Sequence, residues 1–329
     1  MMRARSDPAL TCLFALAAAV LLAAGCGKRA GPAPQAPLGG SEFPLEAVDA
    51  QGVRVRVERR PQRIVSSGPV VTEILFAVGA GDRVVAVSDQ CNYPPEVQQL
   101  SRVGGFFSPS VEKTLAAEPD LVIGSRGNPP DFLSAVRASG CPVFTVDPRT
   151  LDDIFAAIQQ IARLVGNETN GTKLVSELTA RLAAVGDKVK GVPESRRPTV
   201  FIFLQVEPIW TAGADTFQDD VIRAAGARNP AGKLHGFTAF GAESLVAADP
   251  DYLLLSTMEG DPESMVRAVT THPVYQRLYA VRKGHLIVLD ADVIMRAGPR
   301  VVEAVEMMAN ALYPDRFGGA ESSSATSSR

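Results

Sequence analysis

Short apolar runs, each followed by an amphipathic stretch, recur along most of the chain. "RIVSSG" from Arg63 leads into "VTEILFAVG", and "RVVAVS" from Arg83 leads into a proline-containing loop. "DLVIGS" from Asp120 leads into "PDFLSAVRASG", and "PVFTVD" from Pro142 into "LDDIFAAIQQIARLVG". Strands alternating with helix-patterned segments of about ten residues predict βαβ units and a parallel sheet. The pattern resumes after Pro198 with "TVFIFL", "DDVIRAAGA", "ESLVAAD", "DYLLLS", a helix near 262–280, and "HLIVLD". A last helix is expected from Gly298-Pro299, because proline suits the first helical position.

Between these halves lies "ETNGTKLVSELTARLAAVGDKVK", with Leu174, Val175, Leu178, Leu182, Val185 and Val189 at helical spacing. It predicts one long helix, a stiff connector rising about 1.5 Å per residue. The stretch "PLEAVDAQGVRVRVERR" alternates and turns at Gln51-Gly52, which predicts a leading hairpin. The tail "GGAESSSATSSR" has no apolar residue larger than alanine and is expected to lack structure. The fold class is therefore α/β: two Rossmann-like lobes with parallel sheets, joined by one long backbone helix. The expected segments are a signal peptide (1–25), a flexible tether (26–43), an N-terminal lobe (44–166), the inter-lobe helix (167–191), a C-terminal lobe (192–317) and the tail (318–329).

One phrase is written twice. "SVEKTLAAEPDLVIGS" starts at Ser110 and "GAESLVAADPDYLLLS" at Gly241. In ungapped register they share Glu112/Glu243, Ala116/Ala247, Ala117/Ala248, Pro119/Pro250, Asp120/Asp251 and Ser125/Ser256. Each copy reads as a short helix feeding a strand, so the two lobes are expected to be related by a pseudo-symmetry axis.

The N-terminus reads as an address. Arg3 and Arg5 precede an apolar run, Ala9 to Ala24, that ends "LLAAGC". It resembles a bacterial lipoprotein signal that leaves Cys26 lipidated at the mature N-terminus, although Ala23 stands where leucine is usual. A plain signal peptide or a short membrane anchor is the alternative. The Pro/Gly-rich "GKRAGPAPQAPLGGS" after Cys26 is the tether a lipid anchor needs. The expected location is periplasmic or cell-surface, held to a membrane through the lipid. Cys12 leaves with the signal. Cys91 and Cys141 fall at opposite ends of parallel strands, beyond the ~6 Å Cα separation of a disulfide, and are expected as free thiols.

Composition narrows the function. Of 329 residues, 46% are hydrophobic and 21% charged, which fits a globular chain and excludes global disorder. A net charge of −3 supplies no basic field, so no nucleic-acid partner is expected. No G-x-S-x-G elbow occurs, and "GARNPAGKL" has one residue too many for a phosphate-binding Walker loop, with leucine in place of Ser/Thr. The three histidines, His235, His272 and His285, all fall in the second half, so no metal site shared across a cleft is expected. Export without catalytic machinery favours binding over catalysis, with no resident cofactor. An exported enzyme or a receptor on the same scaffold is the alternative.

"RIVSSGPVVTEILFAVGAGDRVVAVSD", "NYPPEV" and the paired E-x-x-L/V-x-A-x-x-P-D phrases resemble the class III, helical-backbone substrate-binding proteins of ABC importers. The resemblance covers about 44–317 and is strongest toward the cobalamin-binding members, through "LQVEPIWTAG" and "DADVIMRAGPRV". It implies an ABC permease dimer with its ATPase as partner, and a large metal chelate as ligand: a corrinoid first, a ferric siderophore or haem second, with His235 or Tyr93 as axial ligand in the last case. It implies a ligand cleft between the lobes, with contacts from Phe106, Trp210, Phe237, Asp292 and Arg296. Ser125 stands where cobalamin binders have tryptophan, and Gln90 where they have tyrosine. Phe107 and Arg126 adjoin these positions. In the resembling family the equivalents of Glu112 and Glu243 dock on arginines of the two permease subunits, which implies the same role for this pair.

Physical reading keeps bland alternatives beside each role. Aromatic walls suit a corrin disc, since each ring hides about 150–250 Å², yet Phe106, Phe107 and Trp210 would also serve as core. Asp292 and Arg296 would also serve as a surface ion pair worth under about 1 kcal/mol. Glu112 and Glu243 would also serve merely to oppose a positive helix end, worth about 0.3–1 kcal/mol. The N-terminal reading is directly testable: Cys26→Ser should release the protein from the membrane or leave it unprocessed, as read by fractionation and mobility. Unchanged attachment and processing would sink the lipid assignment.

Overall fold

The computed structural model describes residues 42–256 and 262–318. The signal peptide, Cys26, nearly all of the tether and the tail beyond 318 lie outside the described residues. The chain opens with the expected hairpin, β1 (Leu45–Val48) paired antiparallel with β2 (Arg54–Val57). At its turn the buried Asp49 carboxylate accepts the backbone N–H groups of Gln51 and Val53, both at 2.9 Å, and pairs with Arg137 at 2.8 Å.

The first lobe then alternates. Its elements are β3 (Ile64–Ser66), α1 (Pro69–Ala77), β4 (Val84–Val87), β5 (Ser101–Arg102), and the short pair β6 (Gly104–Gly105) and β7 (Ser108–Pro109). After these come α2 (Val111–Ala116), β8 (Leu121–Ser125), α3 (Pro130–Ala138), β9 (Val143–Val146) and α4 (Leu151–Leu164). Among the described residues its main sheet is parallel, in the order β5-β4-β3-β8-β9. β3, β8 and β9 are buried along their whole length, which is why they read as near-continuous apolar runs.

The long connector is α5 (Glu168–Val189). The second lobe follows with β10 (Val200–Phe203), β11 (Trp210–Ala212), α6 (Phe217–Ala224), β12 (Phe237–Ala239), α7 (Ala242–Ala248) and β13 (Tyr252–Leu255). It closes with α8 (Pro262–Thr271), α9 (Tyr279–Lys283), β14 (Leu286–Val288), α10 (Ala291–Ile294), α11 (Val301–Leu312) and α12 (Pro314–Phe317). β10, β13 and β14 form a parallel sheet in the order β10-β13-β14, and β11 pairs with β12 as a separate antiparallel ribbon. The helix expected near 262–280 is broken: α8 stops at Thr271, and a 3₁₀ turn at Tyr275–Arg277 precedes α9. Pro273 is the cause, because the residue before a proline is disfavoured in the helical region. The last long helix also starts later than expected. Gly298 and Pro299 form a turn closed by Val301 N–H on the Gly298 carbonyl at 3.1 Å.

Similar lobes are not equal lobes. Where the first has β4, the second has a single parallel bridge between Thr199 and Arg228. Pro230 follows two residues later and lacks the N–H a longer strand would need.

The repeated phrase builds the same corner twice. α2 and α7 each run into a left-handed residue, Glu118 (φ 47°) and Asp249 (φ 35°), followed by proline. The next residue is the shared aspartate. Asp120 accepts the backbone N–H groups of Gln62 at 2.8 Å and Arg63 at 2.9 Å, at the start of β3. Asp251 accepts the N–H of Thr199 at 2.7 Å and its hydroxyl at 2.8 Å, just before β10. Each aspartate pins the opening of the neighbouring parallel strand to its own.

The lobes share one apolar core. Ile158 and Ile161 of α4, Leu178 and Val185 of α5, and Val305 and Met308 of α11 belong to a single cluster. The N-terminal end of α5 is tied to the first lobe by Asn167, whose Nδ2 donates to the carbonyls of Val78 (2.8 Å) and Gly79 (2.7 Å). Its later turns reach the second lobe through Arg181, bonded to Glu306 of α11 at 2.9 and 2.6 Å. That hydrogen bond holds the Glu306 carboxyl below its ordinary range. Gly171 marks a close approach of α4 and α5, since a Cβ there would lie 2.4 Å from that of Ala162. Gly171→Val should therefore push the helices apart and lower stability by roughly 1–3 kcal/mol in urea unfolding, whereas the exposed Lys173→Val nearby should change it by less than about 0.5 kcal/mol.

Candidate functional site

In α1 a carboxylate occupies a buried position. Glu73 lies among Val71, Thr72, Ile74 and Leu75, all buried, with 2% of its side chain exposed. An unpaired charge there would be costly by several kcal/mol. Two arginines of the second lobe meet it. Glu73 Oε1 accepts from Arg296 Nη1 at 3.0 Å and from Arg300 Nη2 at 2.7 Å, and Oε2 accepts from Arg300 Nε at 2.9 Å. Arg296 also donates to Asn92 Oδ1 (2.8 Å) and to the Gln90 carbonyl (3.3 Å), and pairs with Asp292. Asn92 Nδ2 returns a bond to Asp292 Oδ2 at 2.6 Å. The Arg300 guanidinium lies 4.2 Å from the centroid of the Tyr93 ring. Two acids and two guanidiniums thus balance across the lobes.

This cluster locates the cleft. Gln90, Asn92 and Tyr93 follow the C-terminal end of β4, and Asp292 follows that of β14. In open parallel sheets, ligands bind outside those ends.

On the first lobe, the loop between β6 and β7 is Phe106-Phe107. Gln90 Oε1 accepts the Phe106 N–H at 2.7 Å, and Asn128 Nδ2 donates to the Phe106 carbonyl at 3.0 Å. Asn128 is itself fixed by Ser67 Oγ and the Ser125 N–H, each 2.9 Å from its Oδ1. The Phe106 ring rests on bare backbone: a Cβ at Gly68 or Gly127 would approach it to 2.8 or 2.7 Å. Phe107 packs edge-on at 4.9 Å between centroids and is 70% exposed. On the second lobe, Trp210 pairs with Ala239 and Ala212 with Phe237, which places Trp210 and Phe237 diagonally on one face of the ribbon. They are 39% and 44% exposed. Phe107, Trp210 and Phe237 are therefore not core.

The remaining expected residues divide. Gln90 holds the aromatic loop, and Asp292 and Arg296 hold the lobes together. Ser125 is buried at the end of β8. Arg126 is exposed and 3.8 Å from Asp147. Glu112 and Glu243 are exposed, each at the second position of its helix. His235 is exposed and bonded to Asp215 at 2.7 Å, His272 bonds Glu207 at 2.8 Å, and His285 lies against the Asp251 carbonyl at 3.0 Å. Cys91 and Cys141 are free thiols. Burial raises both, Cys141 to about 11 with help from Asp120, so neither is a ready nucleophile. Sequence reasoning passed over Glu73, Asn92 and Arg300. The one available signal was an ionisable residue inside the otherwise apolar "VVTEILFAV".

The model of a family described as "Periplasmic binding protein" matches residues 64–293. The chain belongs to this family. It is 31% identical over 309 residues to the uncharacterized ABC transporter substrate-binding lipoprotein YvrC of Bacillus subtilis (strain 168), covering 92% of this chain and 96% of the other. The periplasmic heme-binding protein RhuT from Roseiflexus sp. RS-1, in apo form, superposes with a TM-score of 0.70 at 30% identity, over 78% of this chain and 99% of that one. The periplasmic vitamin B12 binding protein BtuF of Vibrio cholerae gives 0.65 at 28%, over 78% and 98%.

In this periplasmic binding protein the charged cluster fixes how the two rims face each other. Glu73→Ala should cost about 3–5 kcal/mol, because it leaves the mostly buried Arg300 without an acid and Arg296 with Asp292 alone. A loss below about 1 kcal/mol in urea unfolding would show that the cluster is solvated and does not hold the lobes.

Proposed function

We infer that the chain is the substrate-binding protein of an ABC importer, held outside the cytoplasm by a lipid on Cys26, and that it carries a corrinoid to its permease. Binding, not catalysis, is its role. The observation that most supports a corrinoid is the character of the cleft. Exposed Phe107, Trp210 and Phe237, with half-buried Phe106, offer apolar faces from both lobes. The guanidiniums of Arg296 and Arg300 are already neutralised by Glu73 and Asp292. A strongly anionic ferric catecholate needs spare arginines, whereas a disc with apolar faces and an amide rim needs rings and a few polar groups. The name of the Vibrio cholerae neighbour, a vitamin B12 binding protein, agrees.

A second reading is haem. Tyr93 is 42% exposed beside the cleft, with its ring held against Arg300, and a phenol so placed is an available ligand for a haem iron. RhuT, named as a heme-binding protein, is similar at 30% identity. Incubation with cobalamin, cobinamide, haem and a ferric siderophore, followed by the spectrum of what is retained, separates the readings. Retained haem with no retained corrinoid would overturn the first.

Trp210 is the single tryptophan, so a bound corrinoid or haem should quench the protein's indole emission. Trp210→Ala should weaken binding at least tenfold, about 1.4 kcal/mol. Tight binding with unchanged emission would remove Trp210 from the site. Glu112 and Glu243 stand at matching corners of the two lobes, and a two-fold permease would present the same basic pocket twice. Glu112→Arg with Glu243→Arg should abolish uptake while the ligand Kd stays within about threefold, since rim charges govern docking and not capture. Normal transport by the double variant would leave these acids only their helix-end role.

A further inference from the structure

At the opposite end of the second lobe, where β10, β13 and β14 begin, lies a hollow of about 390 Å³. Its wall carries Arg196, Arg197, Arg228, Tyr252, Tyr279 and His285. The backbone anchors Arg228. Arg228 N–H donates to the Pro198 carbonyl and Val200 N–H donates to the Arg228 carbonyl, both at 2.9 Å. Arg228 Nε donates to the Arg197 carbonyl at 3.0 Å, which leaves its two terminal nitrogens for the hollow. Arg197 Nε is buried without a partner. Among the described residues none of the three arginines has an ion pair. The one acid in the wall, Asp251, turns Oδ2 to Thr199. Opposite the arginines is an aromatic tier: Tyr252 and His285 stack at 4.6 Å and 13°, and Tyr279 meets His285 edge-on at 5.6 Å.

The fold does not demand this charge. The first lobe has a hollow at the matching end of its sheet, about 650 Å³, whose wall carries Glu58, Glu118 and Asp120 against Arg59. Three guanidiniums without an ion pair line one small hollow that holds a single acid, Asp251, and an oxyanion that accepts from two of them supplies the missing counter-charge. The hollow exceeds what a bare ion needs and falls in the range of small-molecule pockets. We propose that it binds a phosphate-bearing group, with the phosphate on Arg197 and Arg228 and its organic substituent along Tyr252 and His285. Either a soluble phosphate ester or the headgroup of an anionic lipid supplies that chemistry.

The test uses the chain from residue 26 onward carrying Cys26→Ser, so that neither a lipid nor the apolar run Ala9–Ala24 contributes. Inorganic phosphate and glycerol 3-phosphate are titrated by calorimetry, and flotation is measured with vesicles of phosphatidylglycerol or of phosphatidylcholine. Glycerol 3-phosphate should bind more tightly than inorganic phosphate, and Arg197→Ala with Arg228→Ala should weaken it at least tenfold. Binding of the ester without flotation identifies a soluble ligand. Flotation with phosphatidylglycerol alone, lost in the double variant, identifies the headgroup. No binding of either phosphate and no flotation by the Cys26→Ser chain, or binding that the double variant retains, overturns the proposal. The double variant should keep the parent's urea-unfolding midpoint, which reads its folding independently.

Discussion

A carboxylate buried in one lobe must find its counter-charge, and Glu73 finds it in the other. Desolvating an isolated carboxylate is prohibitive, so α1 tolerates Glu73 only when Arg296 and Arg300 arrive from beyond β14. The reverse holds for Arg300, which is mostly buried and pairs with Glu73, whereas Arg296 also has Asp292 in its own lobe. Neither lobe alone balances the cluster. That mutual need sets the approach of the two sheet ends, and with it the spacing between the Phe106 loop and the Trp210 ribbon.

The charged cluster acts on a stiff frame. α5 is a single helix whose buried face joins the core of both lobes, and Gly171 lets α4 come against it at backbone distance. Bending the lobes apart would open that shared core as well as the charge cluster. Such a frame favours a cleft that is largely formed before ligand arrives, with aromatic side chains, not whole lobes, making the adjustment. Phe107, Trp210 and Phe237 are placed for that, because their rings are exposed while strand pairing holds the backbones of Trp210 and Phe237, and Gln90 and Asn128 hold that of Phe106, the neighbour of Phe107.

The duplicated phrase has a structural explanation and leaves a functional one open to experiment. The left-handed residue, the proline and the aspartate form one corner that starts two neighbouring strands in register, and each lobe needs it once. Glu112 and Glu243 take no part in that pinning, so the corner does not account for their repetition. At the same sheet ends the lobes diverge, acidic in the first and basic in the second, which shows how freely side chains vary over a retained backbone.

Local pattern was enough for much of this. Alternation of apolar runs with helical stretches specified two parallel α/β lobes, since strands covered on both faces must read as apolar runs, and the spacing of Leu174 to Val189 specified the connector. The self-similar phrases located equivalent corners, because backbone turns of that kind depend on a few adjacent residues. Resemblance also singled out Phe106, Trp210 and Phe237, and the structure leaves the last two exposed. What it did not determine was which charges stay free. Asp292 and Arg296 read as ligand contacts, yet the structure uses them between lobes, because their partners Glu73 and Asn92 lie some two hundred residues away in sequence. Pairing of that kind depends on how two lobes meet, and no local pattern encodes it. Tertiary structure alone decided that the cleft is nearly neutral and that the surplus arginines gather at the far end of the second lobe.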